Sequence, residues 1–222
     1  MARVKLKHMY AFFLALLFFL EPLAAFTKVS ARPAVPQHAR PLVILDAGHG
    51  GSDEGAKVHS LLEKRITLNT VLLLKKRLQE MGYRVILTRS RDVFIPLQRR
   101  VSIANKTKAV VFVSVHYNAS QSADAKGVEI FYYGTQGSWR SQASRLLASA
   151  VLSHVIQETE AECRGVKAAN FHVIRETEMP AILVEGGFMT NSAERALLRD
   201  KIYLDKIAKG IAIGVDRYIR GS

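Results

Sequence analysis

Leu42-Val43-Ile44-Leu45-Asp46 runs into Ala47-Gly48-His49. Ala109-Val110-Val111-Phe112-Val113-Ser114-Val115 runs into His116, and Ala181-Ile182-Leu183-Val184 runs into Glu185. Short Val/Ile/Leu-rich runs bounded by turn signals read as buried strands of an α/β sheet. Ligands of such sheets sit in the crevice beyond the carboxyl ends of the strands. Two imidazoles and a carboxylate brought to one rim make a candidate metallohydrolase site. A single residue of this kind would carry little weight. Three at equivalent places decide fold class and chemistry together.

Outward from these runs the chain alternates between strand and helix signals. A glycine-rich loop at 48–55 leads to a helix from Glu63 to Met81, with Leu68, Val71, Leu74 and Leu78 on one face and Gly82 as its stop. Tyr83 to Thr88 is the next strand, and Pro96 opens a helix that runs through Asn105. Gly127 to Tyr133 alternates as a strand, and its connection from 115 is too short for a helical crossover, so it pairs antiparallel. A helix over 138–159, a short strand at 171–175 and the strand 181–185 follow. Asn191 with Glu194 resembles a capping box for a helix through Leu198, and a last helix covers 204–219. The expectation is one α/β domain over 42–222, with a mixed, mostly parallel sheet of about six strands and helices on both faces.

The N-terminus reads differently. Arg3, Lys5 and Lys7 precede the uncharged apolar run from Met9 to Leu20, which has the length of a secretory signal core and is short for a membrane span of about 20 residues. Residues 1–31 are therefore expected to be a signal peptide or an uncleaved anchor, ending at Val29-Ser30-Ala31 or Leu23-Ala24-Ala25. Residues 32–41 follow as a proline-rich linker. Export places the protein in the periplasm or cell envelope. The whole chain carries 32 Lys and Arg against 19 Asp and Glu, a net charge of +13. That balance favours electrostatic contact with anionic envelope polymers or lipid head groups. Export argues against nucleic acid. The lone Cys163 allows no intrachain disulfide and has no ligand-spaced Cys or His beside it.

His49 and His116 suit Zn²⁺, whose catalytic sites take three protein ligands and leave a fourth position for water. The third ligand is a carboxylate near the first loop. Glu63, opening the helix, is well placed, and Asp53 competes from within the loop, where its alternative role is to bond loop backbone. Glu185, at a strand end before Gly186-Gly187, reads as a general base, because a carboxylate buried there is costly unless paired or used. The other five histidines (His8, His38, His59, His154 and His172) receive no role. Gly50 to Lys57 is no phosphate loop, since Ala56 stands where the lysine is required.

Several segments together carry a family resemblance. ILDAGHGGSDEGA (44–56), LEKRITLN (62–69), GYRVILTRSRDVFIPLQRRVSIAN (82–105), VFVSVHYNAS (111–120) and RGVKAANFHVIRETEMPAILVEGGFMTN (164–191) stand in this order. The chain resembles the zinc-dependent N-acetylmuramoyl-L-alanine amidases of bacterial cell walls, which have an α/β catalytic domain. The resemblance implies Zn²⁺ held by His49, Glu63 and His116, with Glu185 as the catalytic carboxylate, and so favours Glu63 over Asp53. It implies hydrolysis of the amide between the lactyl group of N-acetylmuramic acid and L-alanine in peptidoglycan. Arg175, Asn118 and Tyr117 are candidates to touch substrate, and Tyr117 departs from the small residue usual after the second histidine. The alternatives are a zinc peptidase acting within the stem peptide and a catalytically silent wall-binding protein. The expected state is a monomer. One helix between the strands 127–133 and 171–175 leaves no room for the occluding segment found in some relatives.

Overall fold

The structure, a computed structural model, describes residues 40–221. The expected signal peptide at 1–31 and almost all of the linker at 32–41 lie outside the described residues. In chain order the elements are β1 (Leu42–Ala47), β2 (Lys57–Val58), β3 (Leu61–Leu62), α1 (Glu63–Glu80), β4 (Arg84–Leu87), α2 (Leu97–Asn105) and β5 (Val111–Asn118). Then come β6 (Val128–Tyr132), α3 (Trp139–Thr159), β7 (Cys163–Ala168), α4 (His172–Glu176), β8 (Ala181–Phe188), α5 (Ser192–Leu197) and α6 (Lys201–Arg220). Six strands form one sheet in the order β4-β1-β5-β8-β6-β7, and β2 and β3 form a separate two-stranded ribbon. β6 runs antiparallel to β8, as expected, and parallel to β7. The remaining pairings, β4 with β1, β1 with β5 and β5 with β8, are parallel.

Side chains alternate across each strand, so the two faces of the sheet build two cores. Val43, Leu45, Val113, Val115, Ile182 and Val184 pack under α1, α3 and α6. Ile44, Phe112, Ala181 and Leu183 face the other way, against Ala104 of α2 and Val173 and Ile174 of α4. α2 and α4 are short and cover only part of that second face. Its remaining part, at the C-terminal ends of β1, β5 and β8, is open and forms the crevice described below. Among the described residues no helix is long and apolar enough to cross a membrane.

Two expectations are corrected. The strand placed at 171–175 is the helix α4, His172–Glu176, and the strand that closes this edge of the sheet beside β6 is instead Cys163–Ala168. Val173 and Ile174 are β-branched and suggested a strand, but their burial is against α2 and the sheet rather than in a ladder. The true edge strand CRGVKA lacks an apolar alternation, because one of its sides has no neighbour and its residues are mostly half-buried. The second correction concerns length. β5 and β8 continue to Asn118 and Phe188, three and four residues beyond where their apolar runs stop. His116 and Glu185 therefore stand within paired strands, and their Cα atoms are direct partners in the ladder.

The capping expectation holds at Asn191, whose side chain accepts from the backbone N–H of Ala193 and Glu194. Glu194 does not reach back to the cap. Its buried carboxylate accepts from the backbone N–H of Gly127 at 2.8 Å and of Phe188 at 2.6 Å, tying β6 to β8.

Candidate active site and metal centre

The loop after β1 turns through His49, which takes a positive φ of 60° and is followed by Gly50 and Gly51, also at positive φ. Left-handed backbone at a non-glycine residue is uncommon and persists only where surrounding contacts hold it. Here Asp53 supplies one of them. Its carboxylate lies 2.9 Å from His49 Nδ1 and also accepts from Gly55 N–H at 3.1 Å. With Nδ1 donating to Asp53, Nε2 is the nitrogen left for a metal. It sits 3.1 Å from Glu63 Oε1.

Glu63 is the first residue of α1 and is buried, 5 % exposed. Its Oε1 lies 2.9 Å from His116 Nδ1 and accepts from Tyr117 N–H at 3.2 Å, while Oε2 accepts from Ala56 N–H at 2.8 Å. Burial pushes this carboxyl up, but its bonds to His116 and His49 outweigh that and hold it far below the ordinary carboxylate range. The same contacts, with Asp53, raise His49 against the opposing effect of burial. The ligand atoms of His49, Glu63 and His116 lie within 4.8 Å of one another, and the group can hold a metal ion. Two imidazoles and one carboxylate are a donor set that Zn²⁺ takes in catalytic sites. The surrounding backbone fits this use. A Cβ at Gly48 would come within 2.3 Å of the His116 ring, and one at Gly55 within 2.6 Å of Glu63 Oε2, so the chain closes on the ligands from two sides.

Glu185 faces the same crevice from β8. Its Oε2 is buried with no hydrogen-bond partner among the described residues. Burial, then the charges of Glu63 and Glu129, push its carboxyl well above the ordinary range. A buried carboxylate without partners is an expensive feature, and a raised value suits an acid–base group. The crevice encloses about 410 Å³, and Phe94, Leu97, Phe171 and His172 line it together with His49, His116 and Glu185.

Two arginines brace the centre from beneath, and neither stands out in the sequence. Arg100 of α2, 2 % exposed, donates to Asp46 Oδ1 at 2.8 Å and to the carbonyls of Ala47 and His49 at 2.6 and 2.7 Å. Arg89, equally buried, donates to the carbonyls of Ala47, Gly48 and Lys64. Two guanidiniums thus satisfy the carbonyls of the turn that carries His49. Nothing short of the fold reveals this, since arginines are ordinarily surface residues. Burial pushes the Asp46 carboxyl up, but Arg100, Thr88 and Ser114 prevail and hold it below the usual range. Arg100→Ala should therefore strand Asp46 and cost about 3–5 kcal/mol. The carboxylate's contribution is present above the ordinary carboxylate pKa and lost as pH falls through the folded-state value. Urea unfolding at neutral and acidic pH checks both points: the deficit is large at neutral pH and shrinks on acidification.

The three candidates for substrate contact part company. Tyr117 follows His116 along β5 and so points to the opposite face, 1 % exposed, with its hydroxyl 2.6 Å from that of Thr70 in the core beneath α1. It therefore does not narrow the crevice beside the metal. Arg175 lies on α4, not at a strand end, and bonds Glu176, Asn170 and His172 near the surface. Asn118 stays on the crevice side of β5, donating to Glu129 Oε1 at 2.8 Å. His172, which has no role on sequence grounds, lines the crevice.

Residues 43–217 match the model of the family described as N-acetylmuramoyl-L-alanine amidase. The chain belongs to that family. Among its relatives is an uncharacterized Bacillus subtilis protein, YqiI, 39 % identical over 176 residues that make up 79 % of this chain and 84 % of that protein. The Bacillus subtilis N-acetylmuramoyl-L-alanine amidase LytC is 35 % identical over 178 residues, 80 % of this chain but only 35 % of LytC. Among solved structures, the catalytic domain of the amidase CwlV from Bacillus (Paenibacillus) polymyxa superposes with a TM-score of 0.76 at 37 % identity, covering 82 % of this chain and 99 % of that domain. This amidase domain and its α/β fold account for the order of the five motifs.

Proposed function

We propose that this protein is a zinc-dependent N-acetylmuramoyl-L-alanine amidase that cuts the amide between the lactyl group of N-acetylmuramic acid and L-alanine of the stem peptide. The observation that carries the reading is the pairing of a His–Glu–His cluster with an unpartnered, buried carboxylate oxygen in one crevice. The family supports it. Bound Zn²⁺ supplies an activated water and polarises the scissile carbonyl. His49, Glu63 and His116 would hold the ion. Asp53 fixes the imidazole of His49, and the backbone N–H groups of Ala56 and Tyr117 fix Glu63. Glu185 takes a proton from the attacking water at its free oxygen and returns it to the departing alanine nitrogen. Assistance of this kind typically contributes about 10²–10⁴-fold. The apolar side chains of Phe94, Leu97 and Phe171 limit water access around the scissile bond. The reading places the enzyme in the cell envelope, with residues 1–31 directing export.

Access to the centre needs no partner. α3, the only helix between β6 and β7, packs against α6 and the core on the far side of the sheet from the crevice. The purified protein loaded with Zn²⁺ should therefore digest isolated sacculi without an activator. Mass analysis should find intact stem peptides with a free alanine amino terminus. Cuts within the stem would identify a peptidase instead, and an inert protein that binds sacculi would identify a silent wall-binding domain.

A further inference from the structure

The face of the sheet that carries Glu185 continues beyond the crevice onto β6 and β7. Glu129 of β6 is the ladder partner of Glu185, so their side chains rise from the same face of the sheet. On the next strand, β7, Lys167 is the partner of Phe131 and rises from that face as well. The Phe131 ring meets Phe171 edge to face, with centroids 5.3 Å apart, and Phe171 lines the crevice. His116 on β5, Glu185 on β8 and Glu129 on β6 therefore form a row in ladder register across this face, and Lys167 on the edge strand lies two residues further along it, with its ammonium on Glu129.

The charges along this row are unequal. Glu129, 4 % exposed, accepts from Asn118 at one oxygen and from Arg164 and Lys167 at the other. One carboxylate faces two cations, which leaves the cluster one positive charge in excess. Arg164 is engaged beyond this carboxylate: it also donates to the Lys126 carbonyl and stacks 4.8 Å from the centre of the Phe188 ring. Lys167 is not. Its ammonium has three donors, its hydrogen-bond partner among the described residues is Glu129, and its side chain is 42 % exposed.

We propose that Lys167, held in place by Glu129, is a specificity residue that binds a carboxylate of the substrate's stem peptide, the one carried by the residue after the alanine. The proposal rests on the amidase reading above. Strands in a sheet lie about 4.8 Å apart, so the strand of Lys167 is roughly 10 Å from that of Glu185. An extended peptide advances about 3.4 Å per residue. A peptide whose alanine amide sits at Glu185, crossing the sheet along the row, brings its second residue within reach of the lysine side chain. The acidic residue in that position of peptidoglycan is linked through its side chain and leaves an α-carboxylate free, or carries it as an amide. A half-exposed ammonium distinguishes these two forms, because only the acid gains a charge-assisted bond.

The test uses a matched pair of synthetic muramoyl peptides that differ only in this group, free acid or amide, with kcat and KM measured for each. The Zn²⁺-loaded protein should favour the acid by about 10-fold in kcat/KM, mostly through KM. In Lys167→Met, which keeps the aliphatic stem, this ratio should collapse towards one. Lys167→Arg should restore it, and Lys167→Glu should reverse it. A purely structural lysine would lower both activities together and leave the ratio untouched, which would overturn the proposal. So would a protein with unaltered sequence that cleaves acid and amide equally well, a result that needs no variant to fold. Failure to release alanine-terminated peptides from either substrate would instead count against the amidase reading.

Discussion

Glu185→Gln should leave the fold and bound zinc intact while turnover falls about 10²-fold or more. Glutamine fills the same space on β8 but cannot accept a proton, and Glu185 is neither a ligand of the cluster nor bonded to one. Elemental analysis should find metal at the level of the unaltered protein, and single-turnover digestion of muropeptides should show the loss in the chemical step. The variant also carries a stability signature. Burial raises the Glu185 carboxyl well above its ordinary value, so in the metal-free protein ionisation opposes folding. A raised folded-state value means that the native chain binds the proton more tightly than the unfolded one. Stability is then lost as pH rises above the unfolded carboxylate value. The glutamine variant removes this cost and should melt higher than the metal-free parent at neutral pH, with the gap closing in acid. Near-normal turnover would remove Glu185 from the proposed mechanism.

His116→Ala should have the other large effect, abolishing metal binding and hydrolysis together. The His116 ring closes the cluster from β5 and supplies one of three ligand atoms. With two ligands left, occupancy at micromolar zinc should fall below a tenth of a site per chain, and turnover should drop by at least the contribution of the activated water, about 10³-fold or more. Loss of His116 also frees Glu63 from one of the two imidazoles that offset its burial, so the metal-free variant should be less stable than the metal-free parent. Metal content by elemental analysis decides the matter: stoichiometric zinc in this variant would mean the ion is held elsewhere. The contrast with Glu185→Gln is informative, since one variant separates metal from turnover and the other removes both.

The sequence discloses five of the sheet's six strands, its mostly parallel character and the extents of α1 and α3 to within a residue. Those features depend on local signals: the apolar runs Leu42–Leu45 and Ala181–Val184, the periodic face of α1 and Pro96 at the start of α2. It also singled out His49, His116 and Glu185, because each ends an apolar run that can only be a buried strand.

Tertiary structure decided what those residues meet. Asp53 and Glu63 are both acids near the first loop, and only the fold shows one bonding His49 from the side while the other lies between two imidazoles. An apolar run that stops at Val115 gives no sign of which way Tyr117 points. Once β5 runs to Asn118, the two-residue period sends His116 to the crevice and Tyr117 to the core. The edge strand β7 escaped notice because a strand paired on one side need not alternate. The burial of Arg89 and Arg100 leaves no local signal because their partners include backbone carbonyls 25 to 53 residues away in sequence. Local pattern reports which face of an element is apolar. Which polar groups share a buried volume is set by register and crossover, and those exist only once the sheet has formed.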